Sequence, residues 1–344
     1  MAMRIVCFHL NQIGDLAFSL PALKCLRDGL PGARMTSVVR PPARELLECT
    51  GLADEVLVRS GGFNLRKIRV ARDLASRGFD LAVVFSQSAE CALLACLTRA
   101  ARRIGFVNTS LGRLLTERVD FRHPPSTENN LRLIEAAGCA ITRRDYAGLL
   151  RPSEDMIERG ERILAGHGVS HSDRIIALAP GTSGRRRLKE WTDSGFAEVA
   201  KDIVSKGLKV IVLGTVPAAG IVQECPEILD LSGRTSLSDA VGILARCDAL
   251  VAVDSGILHL CAALGKPVVG LYGPSDPAVT GPQGEGHVVL TSGAECSPCG
   301  QGECKFERKC MTNIDPADVV AALDGALGGT RSSGIPNPGP SKIQ

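Results

Sequence analysis

The stretch Leu250-Val251-Ala252-Val253-Asp254-Ser255-Gly256-Ile257-Leu258-His259-Leu260-Cys261-Ala262-Ala263-Leu264-Gly265 passes from an apolar strand to an apolar helix within two residues. A continuous apolar run before the turn suits a parallel strand buried on both faces, and the Ala- and Leu-rich run after it suits a covering helix. Ser255 and Gly256 then fall at a helix N-terminus, where unpaired N–H groups and the positive end of the helix dipole favour phosphate. Asp254 at the strand end reads as a donor-site residue or as an ordinary cap, and His259 as a supporting or merely buried histidine.

Outward from this junction the same alternation recurs. Before it come strands at Arg174–Ala179 and Leu208–Leu213, with helices near Asp193–Lys206 and Leu237–Arg246; after it comes a strand at Pro267–Leu271. The first half repeats the pattern, with strands at Arg4–Leu10, Arg34–Val39, Glu55–Val58, Asp80–Phe85 and Arg103–Phe106. Such alternation predicts right-handed βαβ units and doubly wound parallel sheets. A chain of 344 residues suits two domains of about 150 residues each. We place one Rossmann-like domain at 1–160 and a second at 161–328, facing each other across a cleft. The tail 329–344, rich in Gly, Pro and Ser, is expected to be disordered.

Ligands of open α/β sheets bind at the carboxyl ends of strands, so the loops there carry the candidate chemistry. Ala179-Pro180-Gly181-Thr182-Ser183-Gly184-Arg185-Arg186-Arg187-Leu188-Lys189-Glu190-Trp191 follows a strand and joins small hydroxyl residues to a cluster of cations. That composition fits a diphosphate, with Lys189 as the point charge; the Walker A spacing is absent. Leu10-Asn11-Gln12-Ile13-Gly14-Asp15-Leu16 follows the first strand, where a dinucleotide enzyme would show G-x-G-x-x-G and this chain does not. Asp15 reads either as a helix cap or as a general base at the lip of the cleft.

Composition narrows the partners. Aromatics are 3% of the chain, which argues against base-stacking nucleic-acid platforms. Net charge is +3, but residues 1–150 hold 21 Lys+Arg against 14 Asp+Glu, leaving 19 against 23 in the remainder. The basic first half suits an anionic partner or simply a solvated basic face. The N-terminus shows no secretory pattern, and no run approaches about 18 apolar residues, so the expected location is cytoplasmic. Nine of the thirteen cysteines lie in apolar patterns and read as small buried hydrophobes. The others, Cys296, Cys299, Cys304 and Cys310, cluster within fifteen residues; they read as a structural metal ligand set, a crosslink, or plain thiols.

Five segments in order carry a resemblance: Gln12-Ile-Gly-Asp15-Leu with Leu20-Pro-Ala-Leu; Pro180-Gly-Thr-Ser183 with Lys189-Glu-Trp191; Ser232-Gly-Arg-Thr-Ser-Leu237; Val253-Asp-Ser-Gly-Ile-Leu-His259; and Leu271-Tyr-Gly-Pro-Ser-Asp-Pro277. Together they resemble the inverting ADP-heptose:lipopolysaccharide heptosyltransferases, glycosyltransferase family nine, of GT-B architecture. The resemblance implies that Asp15 is the general base and that Lys189, Thr182 and Ser183 hold the diphosphate of ADP-heptose. It places Asp254, Ser255, Gly256 and His259 in the donor site and Ser236 and Leu237 near the adenine. It implies no required cofactor and an inner-core lipid A-type acceptor at the cytoplasmic membrane face, for which Arg66, Lys67 and Arg69 are the candidate contacts. In agreement, the chain has no D-x-D triplet to hold a divalent ion. It departs from the pattern at Gly214–Gly220, where many relatives carry an acid for the ribose and here none occurs before Glu224. The alternatives are a GT-B transferase for another nucleotide sugar and a non-catalytic sugar-nucleotide binder.

Overall fold

The computed structural model describes residues 2–59, 65–122, 125–182, 186–300 and 302–328, with residues 65–69 described for their backbone only. The predicted tail 329–344 therefore lies outside the described residues. Six parallel strands, β1 (Arg4–His9), β2 (Arg34–Val39), β3 (Glu55–Val58), β4 (Leu81–Val84), β5 (Arg102–Phe106) and β6 (Glu117–Val119), form the first sheet in the order β3-β2-β1-β4-β5-β6. Six more, β7 (Ile175–Ala179), β8 (Lys209–Val212), β9 (Leu229–Asp230), β10 (Ala249–Val253), β11 (Val268–Leu271) and β12 (Val288–Leu290), form the second in the order β12-β11-β10-β7-β8-β9. Both sheets thus have the doubly wound Rossmann order, and each switches winding direction between its first and fourth strands, β1/β4 and β7/β10. This is the two-Rossmann GT-B architecture expected from the alternation.

The central strands are apolar because both faces are covered: every residue of β7 and β10 is buried. Three edge strands escape the sequence reading. β6, β9 and β12 have two or three residues each and are only partly buried, so they leave little apolar signature. The helix after β10, Gly256–Ala263, begins where the strand-to-helix junction places it, with Ser255 at its N-cap, and the helix after β1 is Ile13–Gly29. Of the nine scattered cysteines seven are buried, while Cys49 and Cys96 are half-buried.

A connecting stretch leads from the helix Ser126–Ala136 to the helix Glu154–Gly166, which Ser153 caps by accepting from the Met156 amide. This second helix lies against Leu237–Arg246 through two glycines. A Cβ on Gly160 would sit 2.6 Å from the Gly242 carbonyl carbon, and one on Gly242 would sit 2.0 Å from the Met156 oxygen. Only glycine permits backbones this close. Part of the connecting stretch is buried against both halves: Leu150 donates to the Ala263 carbonyl at 3.0 Å, and Tyr146 is fully buried.

Candidate functional site

Both switch points open onto the same cleft. From the second sheet, the loop after β10 brings Asp254 in, 7% exposed, with Ser255 as the N-cap of Gly256–Ala263. Ser255 holds extended dihedrals and makes no side-chain cap bond, and its buried hydroxyl has no partner among the described residues. The helix therefore begins with first-turn amides that no side chain has claimed, aimed at the cleft. Two more buried hydroxyls without partners, Ser232 and Ser275, lie on the loops after β9 and β11. A buried unpaired hydroxyl costs about 1–3 kcal/mol, so three along one sheet edge mark a surface built to bond something polar.

Lys189 arrives on the loop after β7. It ends a short 3-10 turn, Arg187–Lys189, which Arg308 braces by donating to the Glu190 carbonyl at 3.0 Å and the Arg187 carbonyl at 3.4 Å. Thr182 is buried and donates through its amide and hydroxyl to Glu190 Oε1 at 3.2 and 3.1 Å, which folds the loop back on itself. Lys189 Nζ lies 2.5 Å from Asp254 Oδ2, and His259 Nε2 lies 3.5 Å from Asp254 Oδ1. Burial alone would push the Asp254 carboxyl up; the hydrogen bond from His259 and the charge of Lys189 outweigh it and hold the group well below the usual carboxylate range. Asp254 is thus an anion. It would repel a diphosphate at contact, so its chemistry in a donor site is to orient Lys189 and His259. The His259 ring is set in turn by Tyr146, whose Oη lies 2.9 Å from Nδ1.

The first sheet supplies the opposite wall. Asp15 is exposed in the first turn of Ile13–Gly29, and its Oδ2 accepts from the Gln12 amide at 3.2 Å. Gln12, not Asp15, occupies the cap position. Asp15 opens onto a cavity of about 340 Å³ whose polar lining includes Asn11, Ser86, Gln87, Ser126 and Asn130. The two walls touch through glycines. A Cβ on Gly14 would lie 3.1 Å from the His259 ring, and one on Gly256 would lie 3.3 Å from Ile13 Cβ. The helix that carries Asp15 and the helix that follows Asp254 thus meet tip to tip.

Other expected residues fare differently. Ser183 and the side chains of Arg66, Lys67 and Arg69 lie outside the described residues. Ser236 caps Leu237–Arg246 in a capping box, accepting from the Asp239 amide and donating to its carboxylate at 2.6 Å, so its hydroxyl is engaged locally. Leu237 packs partly buried on the core. The site also contains residues that sequence reasoning missed: Tyr146, Phe18 and Thr280. Thr280 stands 3.5 Å from Asp254 Oδ2, and Phe18 packs against the His259 ring at 4.7 Å. Tyr146 had one faint signal, as one of two tyrosines in the chain, but it falls in a stretch without periodicity.

The cysteine cluster sits beside the Lys189 turn. Cys296, Cys299, Cys304 and Cys310 line a cavity of about 160 Å³ together with Leu188 and Arg308. All four are free thiols, so the structure contains no crosslink there. Cys304 Sγ accepts from the Phe306 and Arg308 amides at 3.4 and 3.2 Å. Among the described residues no three His, Cys, Asp or Glu side chains are grouped as metal ligands.

Two Rossmann-type halves facing one cleft, with a carboxylate on one wall and a lysine beside a helix N-terminus on the other, have the GT-B architecture. Residues 67–310 match glycosyltransferase family 9 (heptosyltransferase), and the chain belongs to that family and is a glycosyltransferase. It is 26% identical over 298 residues to lipopolysaccharide heptosyltransferase 2 of Salmonella typhimurium strain LT2, covering 81% of this chain and 85% of that one. In fold it resembles the family 9 glycosyl transferase from Veillonella parvula DSM 2008, with TM-score 0.83 at 23% identity over 94% of this chain and 97% of that one. The E. coli ADP-heptose lps heptosyltransferase II gives TM-score 0.79 at 23% identity over 96% and 100%. Among the described residues no helix is long and apolar enough to cross a membrane.

Proposed function

We propose that the protein transfers heptose from ADP-heptose to the inner core of a lipopolysaccharide precursor, Kdo-lipid A or heptosyl-Kdo-lipid A, with inversion and without a metal. The observation that carries this reading is the Lys189–Asp254 pair beside an uncapped helix N-terminus, directly across glycine contacts from Asp15. In this reading the division of labour falls near residue 160, with the acceptor on residues 1–160 and the donor on 161–328. ADP-heptose is also the donor named for the E. coli structural neighbour.

Asp15 takes the proton from the acceptor hydroxyl, and that oxygen attacks the anomeric carbon from the face opposite the diphosphate. The bond from the anomeric carbon to the diphosphate oxygen breaks, and its electron pair leaves with ADP. Lys189 and the first-turn amides of Gly256–Ala263 meet the charge developing on that oxygen, while Thr182, Ser183 and Ser255 hold the phosphates. Asp254 and His259 keep Lys189 aimed, and Ser236 and Leu237 flank the adenine. Cations then suffice where other sugar transferases use a divalent ion. The Cys296–Cys310 loop, which carries Arg308, supports the Lys189 turn either as thiols or around a structural metal. The acceptor is anionic, which suits the basic first half and a role for Arg66, Lys67 and Arg69 at the inner membrane face.

A second reading, a GT-B transferase for another nucleotide sugar, is favoured by one observation. No acid stands between Gly214 and Gly220 to receive the ribose, and Glu224 is 3.6 Å from Lys201 on the neighbouring helix. A donor screen separates the two: ADP-heptose against UDP- and GDP-sugars, with Kdo-lipid A and heptosylated acceptors. We expect transfer from ADP-heptose alone, and loss of that transfer in Asp15→Ala. Transfer from a UDP- or GDP-sugar would establish the second reading, and full activity of Asp15→Ala would remove Asp15 as the base.

A further inference from the structure

Four side chains form one row, three of them buried, and the first has no part in the chemistry above. Tyr146 Oη lies 2.9 Å from His259 Nδ1, His259 Nε2 lies 3.5 Å from Asp254 Oδ1, and Asp254 Oδ2 lies 2.5 Å from Lys189 Nζ. Tyr146, His259 and Asp254 are 0%, 3% and 7% exposed, so water does not compete for these groups. Tyr146 comes from neither sheet. It belongs to the stretch connecting the halves, and its ring meets Phe18, one turn beyond Asp15, edge-on at 5.7 Å.

The proton inventory gives the row a direction. An ionised carboxylate only accepts and an ammonium only donates, while a neutral imidazole has one donor and one acceptor. In a neutral ring facing the Asp254 anion the proton sits on Nε2, which leaves Nδ1 as a lone pair in an apolar surround. The group in reach to donate to it is the Tyr146 hydroxyl. Burial, and the nearby charge of Asp254, push that hydroxyl well above its ordinary pKa, so it stays protonated and able to donate. The groups that face His259 are Asp254 from the strand end and Tyr146 from the connecting stretch, with Lys189 and Tyr272 beyond Asp254. From the Ile13–Gly29 helix the neighbours are Gly14 and Phe18, which do not titrate.

We propose that Tyr146 is a positioning residue for the donor lysine: its hydroxyl locks His259 in the Nε2–H tautomer, which turns Asp254 so that its second oxygen aims Lys189 at the donor diphosphate. This rests on the donor-site reading given above. It also means that the aim of Lys189 depends on the connecting stretch and, through Phe18, on the helix that carries Asp15. The lock is complete only when the two halves are in register.

Tyr146→Phe keeps the ring and its edge on Phe18 and removes only the hydroxyl. The expected result is a kcat lower by about tenfold with a donor KM within about threefold, since the loss falls on charge that develops in the transition state. His259→Gln places an amide donor where Nε2 stood and needs no lock, so adding Tyr146→Phe to it should cost less than about twofold. A readout independent of catalysis is 15N NMR of the histidine-labelled protein, with the His259 signals assigned by their loss in His259→Gln. We expect the Nε2–H pattern in the native chain and a mixture of Nε2–H and Nδ1–H rings in Tyr146→Phe. An Nδ1–H ring in the native chain, an unchanged ring in Tyr146→Phe, or full additivity with His259→Gln would overturn the proposal. The expected ring with no transfer from ADP-heptose would overturn the donor assignment and leave the lock standing.

Discussion

The two halves share one strand order, yet their carboxyl edges are built in opposite ways. The second edge is closed and charged: Lys189, Asp254 and His259 interlock at 18%, 7% and 3% side-chain exposure. The first edge is open, with Asp15 exposed above a cavity whose described lining includes amides, hydroxyls and Phe rings but no Lys or Arg. Each half also buries a histidine near its first or fourth strand, and the contrast repeats. His259 faces a carboxylate, whereas His9 stacks on Phe85 at 4.5 Å, shares a hydrogen bond with Ser19 through Nδ1, and leaves Nε2 without a partner among the described residues. A diphosphate of fixed geometry rewards a preorganised, water-poor grip. An acceptor sugar on a lipid requires an accessible face and a carboxylate that water can reach.

The comparison breaks first at Lys189. Lys189→Ala should reduce kcat by about 10²–10³, the usual cost of removing one donor to a developing oxyanion. A rate within about threefold of the native enzyme would place the leaving-group charge elsewhere. The platform under the second half is the next target. Gly242→Val forces a side chain against the Met156 carbonyl, at a cost of at least about 2 kcal/mol read by chemical denaturation. Unchanged stability would mean that the two helices do not meet at these glycines. The smallest effect concerns His9, whose pKa burial lowers to about 3 from 6.5. Below pH 6.5 the unfolded chain takes a proton that the folded chain refuses, so stability falls with pH, by at most about 1.4 kcal/mol per pH unit. His9→Asn should flatten this slope between pH 6.5 and 5, where few carboxylates titrate, whatever it costs at neutral pH. A slope identical to that of the native chain would show that His9 takes up its proton normally.

What the sequence makes legible follows the same division. Asp254 is written at a strand end, where an apolar run stops at a charge, Lys189 in the loop of small residues and cations that follows another, and the central strands as unbroken apolar runs. The edge strands β6, β9 and β12 are too short and too exposed to leave a pattern. The link between halves is invisible for a different reason. Tyr146 meets His259 across 113 residues of chain, in a stretch with no period, and only the packed structure brings them together. Composition likewise marks the four clustered cysteines but not their state, which depends on side-chain geometry. The Ser236 hydroxyl shows the converse, because a capping box written plainly as Ser236-Leu-Ser-Asp239 occupies a group that the family pattern suggested for the nucleoside.

The central claim is that the closed edge binds the donor and the open edge supplies the base. Calorimetric titration of ADP into Asp15→Ala and Lys189→Ala tests it most directly. The account predicts an ADP Kd within about twofold of the native value for Asp15→Ala and weaker by about tenfold or more for Lys189→Ala. Equal weakening in both variants, or native affinity in Lys189→Ala, would contradict it.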